Sequence, residues 1–277
     1  MIGFDASQNG TITVNDAVDS TTDGDSDPDG IIGLHAGLRL RAESGDIAID
    51  SDISVAESGK VFAIEGQGAN TTVGATISIT TNDGAITIGD DVTVDDGFSL
   101  TLDSGSGAGD VTVQGISGSS DGTVDIDQDL ILRGGAGTAY LNGVIEDETL
   151  LRDLTIRSND IQIGASGSIA IGGNLYLYTQ DGSAEMYLGQ ESEVAGAWNL
   201  TDDTSGDGTP PVDEIAAILH AARVEIGESG VQAATIRFVT ANFSSVNDDG
   251  DAGTIDGLDL YAFADGSGGG ILLDDEN

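Results

Sequence analysis

A short strand phrase returns three times along this chain at nearly constant spacing, and that recurrence constrains the fold more than any other feature. The copies run Asp46 to Val55 (DIAIDSDISV), Ala85 to Val94 (AITIGDDVTV) and Thr123 to Leu132 (TVDIDQDLIL). Superposition pairs Ile47 with Ile86 and Val124, Ile49 with Ile88 and Ile126, Asp52 with Asp91 and Asp129, and Ile53 with Val92 and Leu130, at steps of 39 and 38 residues. One such unit cannot bury its own apolar face and has to stack on its neighbours, so a fixed period predicts a solenoid. Stacking is expected to set Ile47, Ile86 and Val124 in one aliphatic ladder. A unit of ~38 residues holding several short strands suggests two coils of ~19 to 20 residues. About 13 such coils, ~4.8 Å apart, predict a rod of roughly 60 Å.

Between the phrases, apolar residues alternate with polar ones at Leu38 and Leu40, Phe62 and Ile64, Ile77 and Ile79, Leu100 and Leu102, Val111 and Val113, and Leu154 and Ile156. Period two in short runs of Ile, Val and Thr marks strands with one buried face. Asp83-Gly84, Asp96-Gly97, Asp121-Gly122 and Asp181-Gly182 supply corners. A row of β-sandwiches would bring a longer internal period and more turn prolines than the three present. The fold class expected is therefore all-β, a parallel β-helix with inserted acidic loops. A second echo, Asp160 to Gly167 (DIQIGASG) against Arg223 to Gly230 (RVEIGESG), bears on VDEIAAILHAAR at 212–223. That segment has helical amphipathicity, but its end merges into a copied strand phrase, so a strand is expected from about Ile218, with at most one helical turn near 211–217. The divisions expected are an N-terminal strand and acidic loop at 1–30, repetitive coils at 31–190, an inserted loop at 191–217 carrying Trp198, and C-terminal coils with an acidic loop at 218–277.

Charge excludes several functions. Eight Lys plus Arg stand against 49 Asp plus Glu, a formal net charge of -41. No basic stripe exists to neutralise phosphates, so nucleic acid and anionic membrane surfaces are not expected partners. No run of ~18 apolar residues suits a membrane span, and membrane insertion is not expected. Without cysteine there is neither a disulfide framework nor thiol chemistry. Met1 to Asn15 lacks the basic and apolar regions of a signal peptide, so an exported protein of this kind would be a mature or excised segment.

The strings LTLDSGSGAGDVTVQG (Leu100 to Gly115) and DLTIRSNDIQIGASGSIAI (Asp153 to Ile171) resemble the repeats of filamentous-haemagglutinin-type adhesins and other large bacterial surface exoproteins. The resemblance covers roughly 33–178 and, less well, 222–239. It implies a right-handed β-helix and an extracellular or cell-surface location, and it identifies no ligand. The family's amino-terminal secretion domain has no counterpart among these residues.

The sharpest candidate for chemistry is Asp23-x-Asp25-x-Asp27-x-Asp29-Gly30. Alternate Asp side chains on a tight loop converge hard oxygens on one point, as Ca²⁺ requires, although Ala36 stands where an EF-hand would carry its bidentate Glu. Asn247, Asp249, Asp251 and Asp256 form a second, less regular cluster. The competing reading of both is a solvated acidic loop. Asp52, Asp91 and Asp129 would form an acidic ladder if their phrases stack, or else cap the backbone at turns. Tyr176, Tyr178 and Tyr187, near Trp198, are either a sugar-stacking platform or ordinary packing. His35 and His220, the only histidines, have no identifiable partners. No phosphate loop or nucleophile elbow is present.

The expected function is thus a non-catalytic extracellular rod, adhesive or filament-forming and calcium-stabilised, whose partners are other copies of itself or a cell-surface glycan or protein. The alternative is a β-helical polysaccharide-degrading enzyme using paired Asp carboxylates.

Overall fold

The structure, a computed structural model, describes residues 2–6, 12–14, 36–42, 46–66, 70–119, 128–147, 151–190, 192–201, 213–239, 241, 243, 259–264 and 270–274. Among them every regular element is a strand, and every pairing is parallel. Successive strands pass to successive faces and return one rung higher, so the chain is a parallel β-helix with three faces.

The faces are built by the alternation read in the sequence. Strands Leu38–Ala42 and Ile77–Thr81 both show strict inside–outside alternation of burial. On the first face, Leu38, Phe62, Ile86, Val111, Ala139 and Ile161 stack in register. On the second, the ladder is Ile47, Thr71, Val92, Ile116, Ile145, Ile169 and Ile218. On the third it is Ile77, Leu100, Leu130, Leu154, Leu175, Val224 and Leu260. All but Leu260 are buried, and they fuse into one continuous core. Each fully buried aliphatic contributes on the order of 1.5 to 3 kcal/mol, offsetting the entropy of ordering so many short connections.

Register corrects the expected periodicity. Successive first-face partners are separated by 24, 24, 25, 28 and 22 residues, so one coil takes about 24 residues rather than 19 to 20. The second and third faces each carry eight strand rungs among the described residues, fewer than the 13 coils expected. Ile47 lies in the second-face ladder and Ile86 in the first, so these two do not stack; Val124 falls outside the described residues. Likewise Ile161 belongs to the first face and Val224 to the third. The physical reason is that a strand followed by a corner is a local unit usable on any face. Its sequence reports inside–outside alternation, not which face it occupies.

Two corners use special chemistry. Between the third and first faces, Thr81, Ser104, Gly134, Ser158 and Thr179 stand on successive rungs, and the hydroxyl-bearing members are buried. Each of those hydroxyls has a partner: Thr81 donates to Gly84 O, Ser104 to Gly109 O, Ser158 to Asp160 O, and Thr179 to Gln232 Oε1. Between the first and second faces, strands Ile86–Val94 and Val111–Gly118 run through the bend unbroken, with a register shift between Val113 and Gly115.

Near the C-terminal end the chain overshoots and comes back. Met186–Gln190 pairs on one side with Ile236–Val239 and on the other with Trp198–Thr201, which follows it in sequence. Trp198–Thr201 lies beside Asp160–Ile163 and so continues the first face. Within the segment 191–217, expected as a loop, residues 198–201 are therefore a strand, with Trp198 wholly buried. Four residues among Gly and Asp are too few to show alternation. The turn at 214–217 and strand Ile218–His220 stand where the copied phrase placed them.

Candidate functional site

Many outward carboxylates hold one coil to the next. Asp52 Oδ1 accepts the Ser78 N–H at 2.7 Å, Asp83 that of Gly107 at 2.6 Å, Asp110 that of Thr138 at 2.8 Å, Asp153 that of Asn174 at 2.8 Å and Asp160 that of Asn199 at 2.9 Å. In each case the aspartate belongs to the earlier coil and the amide to a later one. Gly107 lies in a turn, whereas Ser78, Thr138, Asn174 and Asn199 are the first or second residues of their strands; in each case the Asp one coil below supplies the amide's acceptor.

Glu214 does the same for two strands at once. Its carboxylate accepts the Ile163 N–H at 3.0 Å, the Thr201 N–H at 2.9 Å and the Thr201 hydroxyl at 3.0 Å, linking Asp160–Ile163 to Trp198–Thr201. Burial pushes its pKa up to about 7 against the lowering effect of those bonds. Asp160 is raised for the same first cause.

Asp52, Asp91 and Asp129 do not form a ladder, because their phrases occupy different faces. Asp52 caps the backbone, as the turn reading had it. Asp129 on the third face receives two bonds from Arg152, one of them 2.9 Å. Asp91 sits at the corner between the first and second faces. The calcium candidates Asp23, Asp25, Asp27, Asp29, Asn247, Asp249, Asp251 and Asp256 lie outside the described residues, as does His35. Among the described residues no group of three or more His, Asp or Glu converges as a metal site. His220 Nδ1–H donates to the Ile171 carbonyl at 2.7 Å, a structural role.

The aromatic residues do not gather into one platform. Trp198 is core. Tyr176 and Tyr178 share the outer side of strand Asn174–Thr179 with ring centroids 5.9 Å apart, whereas Tyr187 stands on another sheet beneath Arg237. The Arg157 guanidinium lies 5.1 Å from the Tyr178 ring, and the Tyr178 hydroxyl donates to Glu225 at 2.8 Å. Burial and that carboxylate raise the hydroxyl's pKa. Four of the eight basic residues, Arg133, Arg152, Arg157 and Arg223, sit on this third face. Each is paired, to Asp103, Asp129, Glu228 and Glu225 respectively. The stripe is consumed internally and offers no net attraction for an anion.

What the sequence reading missed is a groove of about 520 Å³ outside the bend between the first and second faces. Its floor is Gly115, Ile116 and Gly143. Its walls are Asp91, Gln114, Ser117, Asn142, Val144, Glu146 and Ser166, from four successive coils. Glycine is required at Gly143, where a β-carbon would meet Gln114 O at 1.4 Å. The signal available beforehand was a pair of amide–glycine steps, Gln114-Gly115 and Asn142-Gly143, 28 residues apart. The chain matches no protein-family model, no curated protein and no solved structure.

Proposed function

We propose that this chain is a non-catalytic structural and adhesive rod of the cell surface, a β-helical segment of a large adhesin or filament-forming protein, with calcium held in its acidic loops. The observation that carries this reading is where the polar chemistry goes. Asp52, Asp83, Asp110, Asp153, Asp160 and Glu214 are spent joining coil to coil. The two most buried of them, Asp160 and Glu214, face backbone amides rather than a cleft. A scaffold that invests its carboxylates in its own length suits the display of surfaces at fixed spacing.

Exposed apolar side chains at the C-terminal end add to this. Leu260, Tyr261, Ile271, Leu272 and Leu273 lie on the last described strands of two sheets, and Leu273 is 82% exposed. Apolar side chains exposed together on these strands favour contact with a further copy.

One observation favours the enzyme: Asp91 and Glu146 share the groove. Against it, both carboxylates are exposed at the rim of an open groove rather than enclosed in a cleft around a bond to be cut. The test is incubation of the intact protein with neutral and acidic polysaccharides, followed by assays for new reducing ends and for unsaturated products. The rod reading expects neither. Turnover that Asp91→Asn or Glu146→Gln abolishes would establish the enzyme instead.

A further inference from the structure

We infer that the groove at the first-to-second-face bend is a binding site for an uncharged polysaccharide chain laid along the rod axis; this rests on the adhesive reading and names its ligand class. The groove's volume, about 520 Å³, is in the range of small-ligand sites and far larger than one cation needs. Its polar wall offers two carboxamides, Gln114 and Asn142, two hydroxyls, Ser117 and Ser166, and two carboxylates, Asp91 and Glu146. There is no Lys, Arg or His in it, so an anionic ligand would meet only repulsion, compounded by the net charge of -41. Ile116 and Val144 alone are apolar, too little for a hydrophobic ligand. A mixed set of donors and acceptors without cations fits a polyol, whose vicinal hydroxyls both donate and accept.

A second observation separates these side chains from their neighbours. Among the described residues, no hydrogen bond or ion pair engages the side chains of Asp91, Gln114, Ser117, Asn142, Glu146 or Ser166. Corner aspartates elsewhere, such as Asp83 and Asp110, each hold an amide of the next coil. Here the hydrogen-bonding capacity of four coils is left facing outward over a floor of glycine backbone. Exposed polar groups ordinarily serve water, but six arranged around one concavity are positioned for a ligand that replaces that water bond for bond.

Geometry gives the direction. The wall residues climb one coil at a time, from Asp91 through Gln114 and Ser117, then Asn142 and Glu146, to Ser166. At ~4.8 Å per rung this spans about 14 Å parallel to the axis. One rung is close to the length of one pyranose unit in an extended chain. Gln114 and Asn142, which precede the floor glycines on adjacent coils, therefore meet equivalent hydroxyls of adjacent sugars.

The experiment is saturation-transfer NMR on the intact protein with cellohexaose, laminarihexaose, mannohexaose and xylohexaose, with hexagalacturonate as the anionic control. Transfer to at least one neutral hexasaccharide is expected, with an affinity lowered at least about ten-fold by Gln114→Ala combined with Asn142→Ala. Both side chains are exposed, so the melting temperature of that variant should be unchanged, which separates loss of binding from loss of fold. No transfer to any of the neutral sugars overturns the inference. So does binding that the double variant leaves intact, a preference for hexagalacturonate, or a response of the Gln114 and Asn142 signals to calcium chloride alone. Failure of this inference without turnover leaves the rod reading standing. Cleavage of a sugar bound in the groove would support the site and remove the rod reading.

Discussion

Aspartate is the residue this architecture selects, and its reach explains why. The chain holds 37 Asp against 12 Glu, and an amide at a turn or at the start of a strand needs an acceptor directly below it, one rung away. One methylene spans that distance with little side-chain entropy to lose, whereas Glu would have to fold back. Asp153 accepts both the N–H and the side-chain amide of Asn174, so Asp153→Ala should cost about 1 to 3 kcal/mol by urea unfolding and Asp153→Asn distinctly less. Equal losses for the two would show that charge, not the acceptor, is what matters there. Glu214 is the exception, a longer arm reaching two strands. Its folded pKa of about 7 lies above the ~4.3 of an unfolded glutamate, so the folded state holds the proton more tightly between these values. Stability from that proton is complete below the unfolded pKa and lost as pH rises through about 7, a change on the order of 3 kcal/mol. Asp160 shifts in the same direction. The expected result is that the stability difference between wild type and Glu214→Gln falls as pH rises from about 4 to 8. A difference flat across that window would mean that Glu214 ionises without penalty.

At the scale of a strand, inside and outside are separate problems. Leu154 is fully buried between Leu130 and Leu175, while Thr155, the next residue, points outward. Leu154→Ala should cost about 2 to 5 kcal/mol through transfer and cavity terms, and Thr155→Ala within about 0.5 kcal/mol of nothing, as measured by chemical unfolding. Similar costs at both positions would deny the buried ladder. This inside–outside alternation is the part of the fold that was legible beforehand, because each strand carries its own period-two pattern: Leu38, Phe62, Ile77, Leu100, Val111 and Leu154 all point into the core as read. Coil length was not legible. Ile47 and Ile86 look alike because both open an inward-facing strand, and nothing local records that one lies on the second face and the other on the first. Trp198–Thr201 was missed because four residues between Gly- and Asp-rich stretches are too short a run to establish alternation. The groove was illegible for a related reason: Asp91, Gln114, Asn142 and Ser166 meet only once the true coil offset is known.

For the whole molecule, charge is the dominant unbalanced force. A net charge of -41 on a chain of 277 residues repels itself throughout, and the ion pairs found along the third face use up four of the eight cations without lowering the total. Screening alone should therefore raise the melting temperature as sodium chloride increases, until the Debye length falls to about 10 Å near 0.1 M. Calcium predicts something more. If the aspartates at 23, 25, 27 and 29 bind the ion only in the folded state, calcium chloride must stabilise beyond sodium chloride at matched ionic strength. The increment follows mass action, about 2.7 kcal/mol when calcium stands 100-fold above its dissociation constant. Asp25→Asn with Asp27→Asn should abolish that increment while leaving the sodium chloride response in place, because two charges of 49 scarcely change the general field. Melting curves that coincide in the two salts at equal ionic strength would refute a folded-state calcium site, and the acidity would then act as a diffuse field that any cation relieves.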